Sequence, residues 1–113
     1  MIHEMKLQEE YFNYILNGTK RIEIRLNDEK RKNIKLGDKI KFLKEPLLNE
    51  SFEAEVIGLL NYRSFEDLIR DYDTSILSDN TVSKEEVLST LSKFYSREDE
   101  DKNGVLGIRI ILI

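Results

Sequence analysis

The 113-residue chain contains no cysteine. Disulfides, thiolate zinc sites and cysteine nucleophiles are therefore excluded. It has one histidine, His3, too few for a His-rich metal site and a poor basis for a Ser-His-Asp arrangement. No metal or other cofactor is expected. No apolar run approaches the ~18 residues that a membrane-crossing helix needs. The opening MIHEMKLQEE lacks a basic segment followed by an apolar one, so no secretory signal is expected. The only proline is Pro46, and neither repeats nor a low-complexity linker divide the chain. The expectation is one cytoplasmic, monomeric domain over residues 1–113, with no membrane partner. Such a domain buries roughly two-thirds of its unfolded surface, enough for one core.

Charge is present on both signs but unevenly placed. Lys20 to Lys44 holds ten Lys or Arg and four Asp or Glu, a local net of +6 within a chain of net −4. The other 88 residues hold eight basic and eighteen acidic side chains. A basic block in an acidic chain points to a local anion-binding surface, or more simply to a solvated lysine-rich hairpin.

The apolar pattern predicts alternating strands and short helices. Ile2 to Leu7 alternates as a first strand. Leu7, Tyr11, Phe12, Ile15 and Leu16 recur at helical spacing, behind Glu9 and Glu10, which suit a helix N-terminus. Asn17-Gly18 ends that helix. Lys20 to Leu26 reads as a half-buried strand with Ile22 and Ile24 inside and Arg21, Glu23 and Arg25 outside. The LGD turn, Leu36 to Asp38, leads into Lys39 to Leu43. Phe52 to about Leu60 alternates again. Ser64-x-x-Asp67 and Ser83-x-x-Glu86 open two helices, the second with a capping box. REDEDKNG reads as an acidic loop. VLGIRIILI is β-branched and reads as a central strand paired on both sides. The economical architecture is α+β, a small, partly open β-barrel with flanking helices, because closure protects sheet edges.

A helix ending in ILNG, then TKRIEIR, then about ten residues and IKLGDKIKF, and a terminal NGVLGIRI together resemble the ASCH (activating signal cointegrator homology) domain. The resemblance spans about Ile2 to Ile113. It implies a PUA-like fold and a basic cleft, lined by the G-x-K-x-I-E-x-R strand, that takes RNA or a nucleotide-like ligand. The site residues it implies are Gly18, Lys20, Glu23 and Arg25, with Tyr14 facing the cleft from the helix. Gly18 would turn the chain tightly, Lys20 would stand at the cleft mouth as a mobile charge, and Arg25 would offer its planar fork. Glu23 would hold a guanidinium or accept from a base amine. The plainer reading of the strand is a surface salt-bridge ladder, each pair contributing about 0–1 kcal/mol. On either reading an exposed Glu23 adds less than ~1 kcal/mol of stability. Arg21 is expected to be a spectator, Asp38 to fix its turn, and His3 to be a strand residue. Tyr11, Phe12, Phe94 and Tyr95 are expected mainly in packing. Tyr62-Arg63 is either a loop pair or a base-stacking platform.

Some ASCH relatives are hydrolases. One branch deacylates an acylated cytidine with a lysine, a threonine and a glutamate. Lys20 fits the lysine, Glu23 stands where the threonine belongs, and the glutamate falls near Asn80, with Asp79, Glu85 and Glu86 as neighbours. A second branch is associated with RNA cleavage by a tyrosine, a lysine and a serine. Tyr14 and Lys20 have counterparts there, but no serine can be placed. The expectation is an RNA- or nucleotide-binding domain. A nucleoside-derivative hydrolase or ribonuclease, with Lys20 and Glu23 as its catalytic residues, is the alternative.

Overall fold

The computed structural model describes residues 1–113 as an α+β fold. Five strands, β1 (Ile2–Leu7), β2 (Ile22–Leu26), β3 (Lys39–Lys44), β4 (Ser51–Tyr62) and β5 (Val105–Leu112), form one curled half-barrel. Their order is β1-β3-β4-β5-β2. All neighbours are antiparallel except β1 and β3. β5 is paired on both sides, as its β-branched composition predicts, although β4 is the middle strand, and β1 and β2 are the two edges.

The sheet buries apolar side chains on both faces. Leu106, Ile108 and Ile110 of β5 join Met5, Ile40, Phe42, Ala54 and Val56 under helix α1 (Glu9–Leu16), which contributes Phe12 and Ile15. Val105 joins Ile22, Ile24 and Leu26 on the other face. Helices α2 (Phe65–Asp71), α3 (Thr74–Leu77) and α4 (Lys84–Phe94) cover that face with Phe65, Leu68, Ile69, Leu77 and Val87. A bulge between Val56 and Gly58 makes this division possible. One extra residue inverts the side-chain alternation of β4. Leu59 thus returns to the face of Ala54 and Val56, whereas Leu60 and Tyr62 pack on the other. Gly107 admits α2 closely, since a Cβ there would lie 3.0 Å from Leu68 Cδ1.

The local signals mostly hold. The Ser64 hydroxyl accepts from the Asp67 N–H, and Ser83 with Glu86 forms a reciprocal cap. The Asp38 carboxylate accepts from the Lys35 N–H at 3.0 Å, fixing the turn, and also bonds His3 Nε2 at 2.8 Å. Three expectations are corrected. REDEDKNG is not a loop, because Arg97–Asn103 forms helix α5. Ser96 caps it reciprocally with Asp99, and Glu98, Asp99 and Glu100 sit in its first turn, where carboxylates are favourable. The second strand starts at Ile22, not Lys20, and it is not half-buried, since Ile22, Glu23 and Ile24 are all buried. Leu16 and Phe94, placed at core spacing, are exposed.

Candidate functional site

The open side of the half-barrel holds a cavity of about 420 Å³. Ligand pockets commonly span about 300–1,000 Å³. Lys6 and Leu7 at the end of β1 line one side, and Glu23, Ile24 and Arg25 of β2 the other. Helix α1 contributes Glu10, Tyr11 and Tyr14, and α4 contributes Glu86, Thr90 and Phe94, followed by Tyr95. Leu77 and Ser78 close the end near Lys20.

The chain reaches this position through Gly18. Its φ of 85° is one that side-chain-bearing residues rarely adopt, and it turns the backbone out of α1. No atom lies within 4 Å of where a Cβ would stand, so the dihedral alone calls for glycine. Gly18 does not line the cavity. The Lys20 N–H then donates to the Tyr14 carbonyl at 2.9 Å, so the helix end and the strand entry are tied together.

Lys20 is not the mobile charge at the cleft mouth that the sequence suggested. It is 5% exposed. Its Nζ donates to the carbonyls of Ile22 and Leu77, each at 2.7 Å, and lies 3.4 Å from Glu23 Oε1. Glu23 is equally buried, and its Oε2 accepts from Arg25 Nε at 2.7 Å. Arg25 Nη2 donates to the Lys6 carbonyl at 2.9 Å, and the Tyr95 hydroxyl stands beside the same guanidinium. Lys20, Glu23 and Arg25 therefore form one chain of paired charges along the cavity floor. Burial raises the Glu23 carboxyl, but Arg25 and Lys20 outweigh it and hold it below the usual carboxylate range. Burial pushes the Lys20 ammonium below its ordinary value, a shift that Glu23 opposes. Burial also acts against Arg25, and Glu23 more than restores it.

The exposed-ladder reading of this strand, and with it the small stability contribution assigned to Glu23, is corrected by the same geometry. Residues distant in sequence cover the edge strand. The walls are aromatic. Tyr14 lines the cavity as expected, with Tyr11 edge-on to it at 6.2 Å. Burial raises both phenols, so both stay neutral hydrogen-bonding groups. Tyr95 and Tyr11, read from sequence as packing residues, also line the cavity.

The basic block does not gather there. Only Lys20 and Arg25 of its ten cations line the cavity; Lys6 adds a third cation, against the carboxylates of Glu10, Glu23, Glu45 and Glu86. The lining is mixed rather than basic. Arg31 pairs with Asp28, Lys32 with Glu29, and Lys44 with Glu9 and Glu50. Lys39 and Lys41 lie opposite Glu55 and Glu53 in the β3–β4 register. Lys39 and Lys41, two residues apart, share one face of β3, opposite that of buried Ile40 and Phe42. Arg21 is exposed and away from the cavity. Tyr62 is also away from it; it donates to Asp71 at 2.7 Å and packs on the helix-covered core with Tyr72 edge-on at 6.5 Å.

Sequence reasoning weighed Glu86 only for the hydrolase alternative and missed the rest of the α4 wall, including Thr90, together with Ser78 that follows α3. The narrow apolar stripe of a mostly polar helix, followed by Phe94-Tyr95, is the available signal. Nothing local tied it to a strand some sixty residues earlier.

A family model for the ASCH domain matches residues 5–113. The chain belongs to the ASCH domain family. Two solved structures resemble this ASCH domain along its whole length. The crystal structure of hypothetical protein PH0355 is 38% identical, with a TM-score of 0.87 and all of both chains covered. The solution NMR structure of protein PF0455 from Pyrococcus furiosus is 35% identical, with a TM-score of 0.77, covering all of this chain and 98% of that one. No curated protein matches the chain. The half-barrel with five helices is the PUA-like fold that the motifs implied. No helix is long and apolar enough to cross a membrane.

Proposed function

We propose that this ASCH domain binds RNA or a modified nucleotide by taking one unstacked nucleoside into the seam cavity. The observation that carries the reading is the Lys20–Glu23–Arg25 floor beneath the Tyr11, Tyr14 and Tyr95 walls. A nucleobase has two requirements that this arrangement meets. Its ring faces need aromatic or apolar contact, and its edge needs oriented donors and acceptors. The mixed charge of the lining favours a base over a phosphate in the interior. Phosphates would stay at the mouth, where Lys6 is exposed. Membership of the ASCH family supports the same ligand class. The test is equilibrium binding of the four ribonucleosides and of short single-stranded RNA, with the contact surface located from backbone amide shifts. Binding confined to the residues of the cavity is the expected result.

A hydrolase acting on an acylated nucleoside is the second reading. Glu86, one of the acidic neighbours weighed for the missing glutamate, lines the same cavity as Lys20, and that observation favours it. Against it, Lys20 Nζ has its donors engaged, and one Glu86 oxygen accepts from the Ser83 N–H in the helix cap. The assay is release of acid from N-acylated cytidines. The expected outcome is no turnover above background. Turnover lost in Glu86→Gln establishes the second reading in its place.

A further inference from the structure

We infer that Arg25 is the cation that meets the ligand, and that Lys20 is a positioning residue which holds Glu23, and through it the guanidinium, in place. This division of labour rests on the reading of the cavity as a nucleotide site. It differs from the assignment that the motif invites, in which the lysine is the working group.

A lysine ammonium has three N–H donors and no acceptor. In Lys20 two go to the Ile22 and Leu77 carbonyls at 2.7 Å, and the third faces Glu23 Oε1 at 3.4 Å. None is left for a ligand. Reaching one would mean stripping a carbonyl of its partner in a buried setting, which is unfavourable. The Ile22 and Leu77 carbonyls also come from β2 and α3, so Lys20 joins the strand to the helix layer.

A guanidinium has five N–H groups in a fixed plane. Arg25 gives Nε–H to Glu23 and one Nη2–H to Lys6. Of the three N–H groups that neither partner occupies, one is within reach of the Tyr95 hydroxyl, which leaves two. The side chain is 15% exposed, against 5% for Lys20, and Tyr95 flanks it. Two bonds on one side of a rigid plane fix where the remaining donors lie. A ligand with adjacent acceptors, such as the carbonyl and ring nitrogen of a base edge, meets a preset fork. Glu23, with Lys20 on one oxygen and Arg25 on the other, sets the tilt of that plane.

The experiment has two arms. The first uses the free protein labelled with ¹⁵N. The Lys20 ammonium should give a resolved signal protected from solvent exchange. Brief acetylation with an amine-directed reagent should modify Lys6 while sparing Lys20. A Lys20 that is acetylated as fast as Lys6 overturns the division of labour, whatever the ligand. The second arm titrates a pool of all single-stranded RNA trinucleotides into wild type, Arg25→Lys and Lys20→Met. With wild type, the Arg25 Nε signal should shift and the Lys20 Nζ signal should stay. Arg25→Lys, which keeps the charge, should lose at least tenfold in affinity with its amide spectrum otherwise retained. Lys20→Met, read under conditions where its amide spectrum is native, should broaden the Arg25 Nε signal and weaken binding. A Lys20 signal that moves while Arg25 stays still reverses the roles. No binding of the pool by wild type overturns the nucleotide reading itself, along with the Arg25 contact, while the first arm still decides whether Lys20 is spent.

Discussion

Arg25 Nη2 donates to the main-chain carbonyl of Lys6 at 2.9 Å, and the bond spans the two free edges of the sheet. β1 and β2 share no ladder, because they stand at opposite ends of the order β1-β3-β4-β5-β2. One side-chain bond thus pins the seam in which the cavity lies. The guanidinium that bridges the seam is itself fixed by Glu23, and Glu23 by Lys20. Site and fold are therefore coupled at three residues.

The first consequence concerns stability. Glu23→Ala would leave Lys20 and Arg25 buried side by side without the carboxylate between them. Removing one partner of a buried pair typically costs about 3–5 kcal/mol. Urea unfolding should show a loss in that range, a large share of the ~5–15 kcal/mol available to a domain of ordinary stability. A loss under about 1 kcal/mol would return Glu23 to the exposed ladder.

Acid titration gives a second test. The folded-state pKa of Glu23 lies below its unfolded value, so the folded chain gives up this proton more readily than the unfolded one. Its stabilisation is complete above the unfolded value of about 4.3 and is lost as pH falls through the depressed folded value. Asp38, Asp79 and Asp99 are shifted in the same direction and add to the loss. Wild type should therefore lose more stability than Glu23→Gln over that window, measured by urea midpoints at each pH. Parallel profiles would remove Glu23 from the account.

Salt dependence should be shallow. Of the three cations lining the cavity, Lys20 and Arg25 form its floor and only Lys6 is exposed. Single-stranded RNA releases counterions with a log–log slope of about −0.7 per phosphate neutralised. One or two phosphate contacts give a slope of about −0.7 to −1.4. Lys6→Ala should remove about 0.7 of it. A slope steeper than about −3 would mean that the RNA lies along the lysine-rich strands and loop instead.

Much of this site was legible because its centre is local. Lys20, Glu23 and Arg25 fall within six residues, and strand alternation puts Glu23 and Arg25 on one face. The glycine turn and the tyrosine six residues upstream are local as well. Their burial was not legible. It depends on Leu77, Thr90 and Tyr95, which arrive over the edge strand from the far half of the chain. For the same reason the basic block looked like a surface patch. A run of cations becomes a basic patch only when its charges stay uncompensated, and here Arg31, Lys32 and Lys44 pair with carboxylates while Lys39 and Lys41 lie opposite Glu55 and Glu53. Its acidic charge and closing Asn-Gly make the α5 segment read as a loop. The Ser96 cap and three acidic residues in the first turn favour a helix there, and they outweigh the lack of an apolar stripe.

The central claim is that one nucleoside unit enters the seam cavity. Titration of ¹⁵N-labelled protein with single-stranded RNA trinucleotides tests it most directly. The account predicts saturable shifts at Tyr11, Tyr14, Glu23, Arg25, Thr90 and Tyr95. It also predicts that Lys39, Lys41 and the Arg31–Asn33 turn do not respond. Shifts confined to that lysine-rich side, with the cavity silent, would contradict it.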